Sequence, residues 1–114
     1  MSRISTHVLD AALGKPASGI AVELERQADS GAWSAIASQI TDKDGRCGQL
    51  LPAGEVAKPG VYRLTFETDR YHASCGVSGL YPSVSVTFRV RDGETQFHIP
   101  LLLSPHGYTT YRGS

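Results

Sequence analysis

The chain ends in Tyr111-Arg112-Gly113-Ser114, approached through Gly107-Tyr108-Thr109-Thr110. Domain ends are usually frayed and bland in composition. This one offers phenols, a guanidinium, a backbone that can approach closely, and a hydroxyl beside the terminal carboxylate. Arg-Gly-Ser alone also reads as a cloning remnant, yet the tail continues a strand-like pattern without a break in composition. Four histidines accompany it: His7, His72, His98 and His106. Imidazole is the side chain most readily poised for proton transfer near neutrality. In Ile4-Ser5-Thr6-His7-Val8-Leu9-Asp10, a period of two puts Ile4, Thr6 and Val8 on one face and His7 on the other, beside Ser5 and Leu9. In Gln96-Phe97-His98-Ile99-Pro100, Phe97 and Ile99 face the core, so His98 faces outward. An outward histidine is by default a solvated surface residue; its functional alternative is a general base. Arg46 follows Asp42-Lys43-Asp44-Gly45 and carries the same pair of readings, solvated cation or planar fork for a carbonyl or oxyanion.

Other chemistries lack their patterns. No Cys-x-x-Cys or His-x-x-x-His spacing suggests a metal site. No Gly-x-Ser-x-Gly elbow supports a Ser-His-Asp triad, no base adjoins Cys75 in Ala73-Ser74-Cys75-Gly76, and no glycine-rich loop would cradle phosphate. Separated histidines could still converge in space.

The elements that must position these residues are strands. Ile20, Val22 and Leu24 alternate with polar or small neighbours, as do Tyr62, Leu64 and Phe66, and Val84, Val86, Phe88 and Val90. Each pattern predicts a strand with one buried face. Ile4–Leu9, Trp33–Ile40, Thr95–Leu103 and a shorter Gly107–Arg112 complete the set. Clusters of Gly, Pro and Asp at 14–16, 29–31, 42–45 and 92–93 separate them, and Asp92-Gly93 predicts a tight hairpin. Thr68–Gly76 is expected to be a short helix capped by Thr or Asp, with His72 at its surface. Seven or eight short strands predict an all-β, two-sheet antiparallel sandwich.

Length and charge narrow the function. The 114 residues predict a single domain, 1–114. Eleven basic and eleven acidic side chains balance, which disfavours nucleic acid and anionic membrane surfaces as partners. No apolar run reaches the roughly 18 residues of a membrane span, and Met1–His7 lacks the apolar segment of a secretory signal. Cys47 and Cys75 are too few for a disulfide framework; two free thiols suit a reducing compartment, and the cytoplasm is the expected one.

Three blocks carry a resemblance: Ile4-Ser5-Thr6-His7-Val8-Leu9-Asp10 with Gly14-Lys15-Pro16-Ala17; Thr41-Asp42-x-Asp44-Gly45-Arg46; and Phe97 through Ser114, including His98-Ile99-Pro100-Leu101 and the Tyr-Arg-Gly-Ser end. With Tyr81-Pro82 they span nearly the whole chain. The chain resembles the transthyretin-like family, on its hydroxyisourate-hydrolase branch. That resemblance implies a transthyretin-type sandwich of about eight strands with one short helix. It implies a homotetramer, a dimer of dimers with active sites at the interface, where outward histidines become the wall of a pocket. It implies hydrolysis of 5-hydroxyisourate, a small cyclic ureide, to 2-oxo-4-hydroxy-4-carboxy-5-ureidoimidazoline in urate degradation. It implies that neither a metal nor an organic cofactor is needed. The family's catalytic positions fall on His7, Arg46 and His98, and its substrate contacts on Tyr108, Tyr111, Arg112, Gly113 and Ser114. Either histidine could be the base; Arg46 would polarise the carbonyl; the tail would grip the ureide. His106 receives no catalytic meaning. A transthyretin-type carrier without hydrolytic activity is the alternative.

Overall fold

The computed structural model describes residues 2–114, so of the expected 1–114 unit Met1 alone lies outside it. In chain order the elements are β1 (Arg3–Asp10), β2 (Lys15–Pro16), β3 (Ala21–Gln27), β4 (Trp33–Ile40), β5 (Arg46–Cys47), β6 (Gly60–Phe66), α1 (Thr68–Ser74), β7 (Val84–Val90), β8 (Gln96–Ser104) and β9 (Gly107–Thr110). They form two sheets. One runs β2-β1-β8-β9, with β5 also paired to β1; the other runs β4-β3-β6-β7.

The alternating apolar residues supply the layer between the sheets. Ile4, Val8, Leu101 and Leu103 from one sheet meet Val22, Leu24, Leu64 and Phe66 from the other, all fully buried or nearly so. Each such side chain contributes about 1.5–3 kcal/mol relative to exposure. Phe97 and Ile99 join this core, so the backbone of β8 between them necessarily turns His98 to the outer face.

The expected strands and helix are present, with differences that have physical causes. Among the described residues all pairings are antiparallel except one: β1 and β8 run parallel, Ser5 opposite His98 and His7 opposite Pro100. Asp92-Gly93 does form a turn, but it does not close a hairpin, because β7 belongs to one sheet and β8 to the other. Local turn chemistry is the same for both outcomes; what decides is that β8 buries its apolar face by crossing the sandwich. The two-residue strands β2 and β5 fall inside what reads as turn sequence, and only their pairing to β1 reveals them. The last strand stops at Thr110 instead of Arg112, since the Arg112 guanidinium is drawn aside to Glu94 Oε2 at 2.8 Å and to the Gln96 carbonyl at 3.0 Å.

The helix begins after Glu67, which makes no side-chain cap. Thr68, expected as a cap, instead donates its hydroxyl to the Tyr81 carbonyl at 2.7 Å. The expectation that His72 lies at the surface is corrected: it is buried, its ring seated against Gly79. A seven-residue helix laid on a sandwich buries one face, and Tyr71 and His72 are both on it. Both cysteines are free, Cys47 buried and Cys75 exposed.

Candidate functional site

β1 is the spine of the site. Its Arg3, Ser5 and His7 share the outer face by the period of two. The parallel register brings Gln96, His98 and Pro100 of β8 beside them, and the antiparallel one brings Arg46 opposite His7. A cleft of about 350 Å³ opens over this face, lined by Arg3, Ser5, Arg46, His98, Gly113 and Ser114 among others.

The turn that delivers Arg46 is tightly specified. Asp42 Oδ1 accepts the backbone N–H groups of Asp44 and Arg46 at 2.9 and 3.0 Å. Those bonds, that to Arg46 first, hold the Asp42 carboxyl below its ordinary value. Gly45 has φ +77°, a conformation that L side chains avoid, and a Cβ there would collide with the Val8 carbonyl oxygen. Val8 N–H donates to the Gly45 carbonyl at 2.7 Å, stitching the turn to β1. The adjoining Asp44 carbonyl lies 2.8 Å from His7 Nε2. A carbonyl only accepts, so Nε2 carries a proton.

His98 is held from two sides. Its Nδ1 shares a 2.8 Å hydrogen bond with Ser5 Oγ. Its backbone carbonyl accepts Gly113 N–H at 2.7 Å, and a Cβ at position 113 would sit 2.5 Å from the ring's Cδ2. Nε2 has no hydrogen-bond partner among the described residues and is the nitrogen left for a ligand or water. Partial burial, then the charges of Arg46, His7 and Arg3, hold the imidazole below its ordinary value. These effects favour its neutral form, the form a general base requires.

Of the sequence-predicted site residues, Arg46, His98, Gly113 and Ser114 meet in the cleft, and His7 adjoins it through Arg46. Three others stand elsewhere in this chain. Tyr108 pairs with Leu103 and shares its face, opposite to that of His98, with its ring edge-on to Tyr81 at 5.2 Å. Tyr111 and Arg112 border a separate depression of about 250 Å³ with Phe97 and Phe88. There Arg112 lies over the Phe97 ring at 4.6 Å and pairs with Glu94. Sequence reasoning missed Arg3 and Ser5. Their face was readable, since Ser5 lies two and Arg3 four residues before His7, but the strands that flank it were not. Among the described residues no group of three His, Cys, Asp or Glu side chains could hold a metal ion, and no helix is long and apolar enough to cross a membrane.

Comparison with known proteins gives this geometry a context. Residues 4–113 match the model of the HIUase/Transthyretin family. The chain is 46% identical over 114 residues to the 5-hydroxyisourate hydrolase of Mus musculus, covering 99% of this chain and 96% of that protein. It superposes on the Klebsiella pneumoniae 5-hydroxyisourate hydrolase with a TM-score of 0.86 at 35% identity, covering all of both chains. Transthyretin from Sparus aurata superposes with a TM-score of 0.90 at 30% identity, over 99% of this chain and 97% of that one.

Proposed function

Because this chain belongs to the HIUase/Transthyretin family, we infer that it is the hydrolase of that family: it opens 5-hydroxyisourate in urate degradation. The observation that carries this reading is the convergence of Arg46, His98 and the Gly113-Ser114 end in one cleft, in a chain 46% identical to a named hydrolase. A carrier of the transthyretin type is not favoured: the cleft is lined by guanidiniums, imidazole and hydroxyls, which suit a polar ureide and water.

The chemistry is addition of water across an acyl C–N bond. Water gives its hydroxyl to the carbonyl carbon and a proton to the departing ring nitrogen, and the new carboxyl then ionises. His98 is the better-placed base, since its Nε2 is free and its neutral form is favoured. His7, whose Nε2–H is spent on a backbone carbonyl, orients the water or returns the proton. Arg46 polarises the carbonyl and holds the charge that develops on its oxygen. Gly113 and Ser114 are proposed as substrate contacts. Arg112 serves them from outside the cleft, anchoring the tail through Glu94. Tyr108 and Tyr111 are proposed to meet substrate only in the assembled protein.

The assembly proposed is a homotetramer, a dimer of dimers with the cleft at the interface. It is supported by the outward position of the site residues on a sheet face, where a second copy would exclude water. The whole chain is taken as one unit because both sheets share one core, and the cytoplasm as its compartment because the two thiols are unpaired. The test is the ultraviolet decay of freshly generated 5-hydroxyisourate with wild type and with His98→Asn. Wild type should accelerate decay and the variant should not. No acceleration by wild type would end the hydrolase reading, and a monomer on size-exclusion chromatography would end that of the assembly.

A further inference from the structure

Arg3 has no part in the reading above, yet it stands in the cleft. Its place is fixed by strand geometry: it opens β1, opposite Gln96 on β8, two residues before the Ser5–His98 pair on the same face. Its Nε–H donates to the Gly48 carbonyl at 2.7 Å. That single bond steadies the stem and leaves the two terminal nitrogens, the planar fork, without a hydrogen-bond partner among the described residues.

The charge balance of the cleft gives Arg3 its meaning. Arg3 and Arg46 both line it, no Asp or Glu side chain does among the described residues, and its one anionic group is the terminal carboxylate of Ser114. Neither arginine forms an ion pair among the described residues, whereas Arg63, Arg91 and Arg112 each do. Both arginines act on His98 from within its electrostatic surroundings. Two guanidiniums facing one cleft against the single terminal carboxylate of Ser114 leave an excess of positive charge, which suits an oxyanion that each guanidinium can take with a fork of donors. A neutral ureide needs only one of them.

We propose that Arg3 is a substrate-positioning residue of this site, and that with Arg46 it makes the cleft select anionic heterocyclic ligands over neutral ones of the same shape. The inference rests on the hydrolase reading for its substrate, but anion selection can be measured without turnover. The anion has two sources: a deprotonated ring amide in the substrate, or the carboxylate of the ring-opened product. A substrate anion makes Arg3 act on KM. A product carboxylate makes it act on product inhibition in progress curves.

The experiment compares wild type, Arg3→Gln and Arg3→Lys, using urate, a bicyclic monoanion near neutral pH, and hypoxanthine, a neutral bicycle, as probes. Charge-assisted hydrogen bonds are strong enough that losing one weakens binding on the order of tenfold or more. Urate binding by calorimetry should therefore weaken about tenfold in Arg3→Gln, with hypoxanthine binding unmoved. Arg3→Lys should recover part of the loss. In turnover, Arg3→Gln should raise KM or the product inhibition constant by more than it lowers kcat. Equal urate affinity in wild type and Arg3→Gln would overturn the proposal, as would equal weakening of both probes, which marks a distorted cleft. If wild type binds urate through Arg3 but hydrolyses nothing, the hydrolase reading fails and the anion site stands.

Discussion

Ser5 Oγ lies 2.8 Å from His98 Nδ1, across two strands whose sequence positions are 93 residues apart. The parallel register of β1 and β8 creates this bond, and it decides which face of the imidazole is available. With Nδ1 engaged, Nε2 is the nitrogen proposed to meet water. Ser5→Ala should leave the fold intact and free the ring to turn. Misplacement of a catalytic group by about 1 Å can cost up to ~100-fold, so kcat/KM should fall between about 10- and 100-fold. Thermal melting read beside steady-state rates checks this, and an unchanged kcat/KM would remove Ser5 from the mechanism.

Two effects are proposed for Arg46, and pH separates them. As an oxyanion donor its loss should cost roughly 100- to 1000-fold in kcat. As a cation near His98 it is, after partial burial, the largest cause holding that imidazole below its ordinary value of 6.5. A base must be neutral, so a lowered value extends activity toward acid. Removing the charge lets the value rise, and the acid limb of kcat/KM should move to higher pH in Arg46→Ala. Arg46→Lys keeps the charge and should keep the limb where wild type has it. Profiles of the three proteins at low ionic strength make the measurement, and a limb that stays fixed in Arg46→Ala would separate Arg46 from the titration.

Gly113 matters for the room it leaves. Its N–H holds the His98 carbonyl, and the smallest side chain would press on Cδ2 of the ring and come within 3.3 Å of Pro100 Cγ. Gly113→Ala should lower kcat/KM on the order of a hundredfold through displacement of the ring. Stability should change little, because the residue lies at the chain's edge and outside the core. Amide and imidazole NMR shifts of His98 should move with the rate. A fully active Gly113→Ala protein would mean that the tail's approach to His98 is incidental.

The periodic residues made most of this architecture readable. Val84–Val90 and Trp33–Ile40 are strands with the bounds their alternation suggests, because a period of two is a local property of the chain. Pairing is not local. Nothing in Ile4–Leu9 or Thr95–Leu103 says that these strands run parallel, and a turn such as Asp92-Gly93 serves a hairpin and a crossing equally well. The site divides in the same way. His7 and His98 are visible as outward residues on apolar strands, whereas Arg3 and Ser5 gain significance only once β1 is seen between β5 and β8. His72 illustrates the reverse limit: a polar residue in a short helix looks solvated until the helix is laid on a sheet.

Tyr71, next to His72, tests whether that helix is structural or functional. Its hydroxyl donates to Asp10 Oδ2 at 2.7 Å in a buried setting, while Asp10 Oδ1 accepts Leu13 N–H at 2.9 Å. Burial, then the bond to Asp10, pushes the phenol's proton affinity up, so it stays a donor throughout the accessible pH range. The pair ties α1 to the end of β1 and to the turn that follows. Tyr71→Phe keeps the ring and removes one donor, leaving a carboxylate oxygen buried without its partner. The expected cost is about 1–3 kcal/mol, or a fall in Tm of roughly 4–8 °C for each kcal/mol in a domain of this size. His98, Arg46 and Arg3 do not touch this pair, so kcat and KM below the transition should match wild type. A large loss of turnover with an unchanged Tm would show that α1 reports to the cleft, and would require a coupling through β1 that the hydrogen bonds described here do not supply.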